Sequence, residues 1–212
     1  GEAVTNHLTI QKTAPIFNLK PCALEVALMP DGAYEGEGAG KKRVSCLTLA
    51  AVYRDRRQAL HLPAVCRDDL MPILSLLALD RETTFSSGAV PSEPESGITL
   101  QRFDAAGVIR CHVDGIGADF SDCVRDIDRD AGAVSVVEVF LRADTAAAPW
   151  AVSVLRERGF FLSGFVPLWF GADAILMQKL SVAPDFDTIK LHSPEAQALG
   201  ERVRRDYQRV QT

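Results

Sequence analysis

The chain has 212 residues, 47% hydrophobic and 24% charged, which is enough apolar material for a sizeable core and excludes a disordered polymer. Its net charge of −5, from 23 basic and 28 acidic side chains, provides no basic field for phosphate backbones and argues against nucleic acid as a partner. No apolar run nears the roughly 20 residues that span a bilayer, and the first residues are not a basic segment followed by an apolar one, so no membrane partner and a cytoplasmic location are expected.

In chain order, Ala23 to Leu28 alternates as a strand does, and Pro30-Asp31-Gly32 after it is turn chemistry. Gly36-Glu-Gly-Ala-Gly-Lys-Lys42 invites a phosphate-loop reading. However, the residue five before Gly40 is Glu35, and Lys41 is followed by Lys42 where Ser or Thr is needed, so a hairpin loop fits better. Val44 to Tyr53 and Gln58 to Leu62 read as further strands around the polar turn Asp55-Arg56-Arg57, giving an expected antiparallel meander. After Pro63, Leu70, Ile73, Leu74 and Leu77 recur with helical period. Pro72 is tolerated only in a first helical turn, which predicts a cap at Asp68 or Asp69.

Residues 82–97 turn to Ser, Pro, Glu, Thr and Gly and read as a connecting loop between an N-terminal half, 2–81, and a C-terminal half, 98–212, of one compact domain. The second half opens with a hairpin, Ile98 to Phe103 and Val108 to Val113, joined through Asp104 to Gly107. A short helix follows near Phe120 to Asp130, with Phe120, Val124 and Ile127 on one side. From Val134 to Leu180 the pattern is strand, helix, strand, strand, the helix carrying Trp150, Val154 and Leu155 and ending at Gly159, a residue suited to a left-handed C′ position. Arg156 and Arg158 sit where cations suit the helix dipole. Ser193 caps a last helix with Pro194 at its first position and Leu199, Val203, Tyr207 and Val210 as its inner stripe. The fold class is therefore α/β, with a mixed, largely antiparallel central sheet of seven to nine strands flanked by helices.

Candidate chemistry gathers in the second half. Gly115-Ile116-Gly117-Ala118 joins a strand to a helix, the place where backbone amides hold phosphate oxygens. Glu138 lies mid-strand among valines, where burial raises a carboxyl pKa. It is either a general base or the structural partner of an arginine such as Arg110 or Arg142. His112 is either a base or a satisfied core or edge histidine. Trp169 and Phe170, read as strand neighbours, point to opposite faces, so that one lines a groove or a subunit contact. Cys22, Cys46, Cys66, Cys111 and Cys123 are odd in number and lack metal-ligand spacing, which points to buried thiols in a reduced compartment and to no metal.

The order Leu155-Arg-Glu-Arg-Gly-Phe-Phe followed by Gly164-Phe165-Val166-Pro167 resembles the C-terminal half of the GNAT (acyl-CoA N-acyltransferase) fold. At a finer level, Leu60-His-Leu-Pro63, Arg67-Asp-Asp-Leu70, Leu79-Asp-Arg81 and Asp173-Ala-Ile-Leu-Met-Gln-Lys-Leu180 are similar to GNAT-like regions beside anti-sigma-type ATPase domains of bacterial signalling proteins. The resemblance implies acetyl-CoA or another acyl-CoA as cofactor, its pyrophosphate on the amides of Gly115, Ile116, Gly117 and Ala118. It also implies Glu138 or His112, near splayed strands, as the base toward an amine. The family's pyrophosphate motif opens with an arginine or glutamine that is missing here, Asp114 and Asp119 flank the turn, and Leu155 stands where a proton-donating tyrosine is usual. Two functions follow: an N-acyltransferase acting on a small-molecule amine, or a catalytically silent module that senses a small molecule or binds a protein partner, a homodimer included.

Overall fold

Strands form where β-branched and aromatic residues alternate, and in the computed structural model, which describes residues 1–30, 32–33 and 42–211, ten of them are found. They are β1 (Glu2–Val4), β2 (Lys20–Met29), β3 (Val44–Ala50), β4 (Gln58–Pro63), β5 (Arg81–Ser86), β6 (Gly97–Phe103), β7 (Val108–Gly115), β8 (Val136–Arg142), β9 (Phe161–Val166) and β10 (Ala174–Leu180). The helices are α1 (Thr9–Thr13), α2 (Arg67–Leu77), α3 (Phe120–Asp130), α4 (Ala148–Glu157) and α5 (Pro194–Val210). Eight strands form one mixed sheet in the order β1-β3-β2-β9-β10-β8-β7-β6, in which only β7 and β8 are parallel neighbours. This is the expected α/β class. Most of the phosphate-loop candidate, 36–41, lies outside the described residues.

Within the main sheet the two halves of the chain meet where Ala23 of β2 pairs with Gly164 of β9. Gly164 has φ +150°, and a Cβ there would lie 2.4 Å from the Cα of Ala23, so only glycine permits the strands to close up. Four strand spacings separate β2 from β7 in the sheet order, about 19 Å if the sheet were flat. Yet Arg110 of β7 bonds Glu25 of β2 at 3.1 Å, and Arg43 Nη2 donates to Ala106 O at 2.8 Å. The sheet is therefore strongly curled. Its convex side and helices α2 to α5 enclose the main core, to which Leu155, Leu199 and Val203 belong. Ala23, Phe140, Val166, Ala174 and Leu176 form a second, small apolar cluster.

Helix ends follow the local chemistry. Gly159, at φ +82°, donates to Arg156 O at 2.9 Å, and Phe160 donates to Leu155 O at 3.1 Å, the paired bonds of a glycine-terminated helix. The Ser193 hydroxyl accepts from Ala196 N at 3.1 Å. Within the α5 stripe Leu199 and Val203 are buried and Tyr207 and Val210 partly so, and Asp206 is buried too because Arg156 Nη1 bonds both its oxygens at 2.9 and 2.7 Å.

Three expectations are corrected. The meander stops at β3, because β4 leaves the main sheet and pairs in parallel with β5 in a separate two-stranded sheet. Arg81–Ser86 within the expected connecting loop is thus a strand, anchored where the buried Arg81 bonds Asp173 and Asp55. Helix α2 starts at Arg67 with no side-chain cap, so Pro72 falls inside it; Asp68, whose carbonyl loses the bond that Pro72 cannot donate, is exposed. None of the described helices is long and apolar enough to cross a membrane.

Candidate functional site

Side chains alternate along strands, so Arg110 and His112 of β7 share a face, as do Glu138 and Phe140 of β8. Parallel pairing sets Arg110 beside Glu138 and His112 beside Phe140. Arg110 Nε donates to Glu138 Oε2 at 2.8 Å, and its Nη2 donates to Glu25 Oε2 at 3.1 Å. The Thr48 hydroxyl donates to the other oxygen of Glu25. Gln178 donates to Glu138 Oε1 at 3.2 Å and accepts from Val26 N at 2.8 Å and from the Ser163 hydroxyl at 2.7 Å. The result is a polar row through the interior of the curled sheet, with Glu25 2% exposed and Glu138 not at all.

Two buried carboxyls share one guanidinium. Burial pushes the Glu25 carboxyl well above the usual range, and the charge of Glu138 adds to the shift. Burial also raises Glu138, against the pull of Arg110. Since Arg110 neutralises one negative charge, the second carboxyl is relieved by holding a proton. Of the two readings of Glu138, the arginine partner is the one its geometry displays, and the partner is Arg110; Arg142 bonds Asp144 instead, at 2.6 and 2.9 Å.

His112 follows Arg110 on the same face of β7, beside Phe140. Its ring meets Phe140 and Trp169 edge-on at 5.7 Å each and Phe170 at 6.1 Å, while Phe140 and Trp169 stack at 4.2 Å. Burial, helped by the charge of Arg110, lowers its pKa, and its Nε2 is shielded with no hydrogen-bond partner. Trp169 and Phe170 do not obey strand alternation, because β9 ends at Val166 and both rings sit in the turn that follows, packed on the small apolar cluster.

The Gly115–Ala118 turn leads from β7 to α3, and the amides of its second half are taken. Gly117 N donates to the Ser96 hydroxyl at 2.9 Å, Ala118 N to Glu93 O at 2.7 Å, and Asp119 N to Pro94 O at 3.3 Å. The Ser96 hydroxyl in turn donates to Asp119 Oδ1 at 2.7 Å. Residues 93–96 thus lie on the turn as a strap, close enough that a Cβ on Gly117 would meet the Glu95 carbonyl carbon at 2.3 Å. Ile116 is buried in the core and Gly115 pairs with Gly97 of β6. Beside the turn, β7 and β8 stay in register from Val108 and Val136 to Val113 and Leu141, with no parting between them along that run. Leu155 is fully buried.

The structure brings Glu138 and His112 to one face of neighbouring strands and sets the turn at the end of β7. Arg110 was legible as a partner; Glu25 hides in an apolar strand, and nothing in the sequence announces that 93–96 covers the turn. The cysteines are free, and burial pushes the Cys22, Cys66 and Cys111 thiols up to about 12, which removes them as nucleophiles. No protein-family model matches this chain, and no curated protein or solved structure is detectably similar to it.

Proposed function

We propose that this chain is a catalytically silent regulatory module on an acyl-CoA N-acyltransferase-like scaffold, one that senses a small molecule or binds a partner. The observation that carries the reading is the strap: of the four amides expected to face a pyrophosphate, those of Gly117 and Ala118 already donate to residues 93–96, and that of Asp119 beside them does so too. An incoming anion would have to displace three bonds and approach Asp119, whose carboxylate repels it. Leu155 in the core adds no proton donor for a departing thiolate. The test is release of free CoA thiol from acetyl-CoA with a panel of small amines. The proposal predicts a rate no higher than without protein, and a turnover on the order of 10 per second, as for a median enzyme, would overturn it.

A second reading is N-acyl transfer from acyl-CoA to an amine, with Glu138 or His112 as base. One observation favours it: His112 is held toward its neutral form and its Nε2 has no partner, as a base awaiting a proton would be. Glu138 serves this reading less well, because its charge is already engaged by Arg110.

A further inference from the structure

Asn6, just beyond the end of β1, is 8% exposed, and both polar atoms of its side chain, Oδ1 and Nδ2, are shielded from solvent without a hydrogen-bond partner. Buried carboxamides are almost always satisfied, so an orphaned pair calls for an absent partner. Asn6 lines a cavity of about 190 Å³ together with Lys42, Arg43, Ser45, Asp187 and Lys190. Its walls are fixed. Thr5 donates through N and Oγ1 to Ser45 O at 3.0 and 2.9 Å, Lys190 N donates to Thr5 O at 2.9 Å, and Ala27 N donates to the Ser45 hydroxyl at 3.0 Å. None of these residues belongs to the strap, the turn or the Arg110 row.

We infer that this cavity is a binding site for a small carboxylate that also carries a carboxamide. The carboxamide of Asn6 presents one acceptor and one donor side by side, and its complement is a second amide edge that returns both bonds. Lys42, Arg43 and Lys190 line the cavity together with Asp187, whose carboxylate is bonded by Arg204 at 2.8 Å. The charge open to an anion is that of Lys190. Among the described residues the ammonium of Lys190 has no carboxylate partner, whereas Lys42 bonds Asp185 and Arg43 donates to the carbonyls of Ala27, Leu28 and Ala106. Lys190 therefore supplies the charge for the carboxylate, and Asn6, by turning its shielded carboxamide into the cavity, supplies the bonds for the amide. The volume equals that of about six waters at ~30 Å³ each, which admits a molecule of a few carbon atoms. This inference deepens the sensing role proposed above and rests on that reading for its purpose, but not for its chemistry.

The probe is malonamate, a three-carbon chain with a carboxylate at one end and a carboxamide at the other, titrated into the full chain and followed by the side-chain NH2 resonances of Asn6 and by calorimetry. Saturable movement of those resonances with a Kd of about 1 mM or tighter is expected. Asn6→Leu, similar in size and without polar atoms, should weaken binding at least about tenfold, Lys190→Ala should weaken it several-fold, and acetamide, lacking the carboxylate, should bind less well than malonamate. The inference is overturned if the Asn6 resonances do not move at about 10 mM malonamate, or if heat is seen that neither substitution reduces. If Asn6→Leu fails to fold, the wild-type resonances and Lys190→Ala still decide. Acetyl-CoA has no part in this titration, so its failure leaves the reading of the strap intact, and the reverse also holds.

Discussion

Arg110 donates to Glu138 at 2.8 Å and, from the same guanidinium, to Glu25 at 3.1 Å, so two strands four places apart in the sheet are joined through one side chain. The bond closes the curl of the sheet and sets two buried carboxyls against one cation in its interior.

That imbalance has a pH signature. The Glu25 carboxyl is raised in the folded state, chiefly by burial, so the stability it contributes is present below the unfolded value of about 4.3 and is lost as pH rises through the folded value. Glu25→Gln keeps an acceptor for Thr48 and removes the excess charge. It should therefore gain stability relative to the parent as pH rises above the unfolded value of about 4.3, in urea titrations at each pH. Glu138→Gln, which takes away the closer partner of Arg110, should be the more damaging change at every pH.

His112 behaves in the opposite sense. Burial and Arg110 lower its pKa, so the folded form resists the proton that the unfolded chain accepts, and stability falls as pH drops below the unfolded value of about 6.5. Replacement with Phe should flatten this part of the stability curve, and proton NMR titration of the His112 ring should give a midpoint below that of an exposed histidine.

Gly117→Ala tests the strap by sterics. A methyl group there would need the space of the Glu95 backbone, so the strap must lift, at a cost of about 1 to 3 kcal/mol. Limited proteolysis should then cut within 88–96 faster than in the parent, and the amides of Ala118 and Asp119 should lose hydrogen-exchange protection.

Leu155→Tyr addresses the missing proton donor. Leu155 is buried in the main core, so the added ring and its unpartnered hydroxyl should destabilise by about 1 to 3 kcal/mol and create no transferase activity. Thermal melts and the thiol-release assay report the two effects separately.

The parts of the fold that were legible in the sequence are those governed by neighbours along the chain. The α3 bounds follow from Phe120, Val124 and Ile127, all buried; the ends of α4 and α5 follow from Gly159 and Ser193. Long-range pairing was hidden. The segment Arg81–Ser86 carries two threonines and one phenylalanine and looks like a loop until β4, 23 residues earlier at the first partners Gln58 and Arg81, offers a parallel edge. At the site, Glu138 was legible as a buried carboxylate with an arginine at hand. The second carboxyl, Glu25, was not, because it meets Arg110 only through the curl of the sheet. The strap was the least legible element, since two of its bonds to the turn end on the backbone oxygens of Glu93 and Pro94, which carry no residue code.

The central claim is that the Gly115–Ala118 turn is occupied from within and does not take acyl-CoA. Thermal unfolding of the intact chain with and without about 5 mM acetyl-CoA measures this most directly, because a ligand of the folded state at 100 times its Kd adds about 2.7 kcal/mol. For a chain of this size that is a rise in Tm of about 5 to 10 °C. The strap predicts a midpoint unchanged within about 1 °C; a saturable rise of several degrees, lost on adding a bulky residue at Gly117, would contradict it.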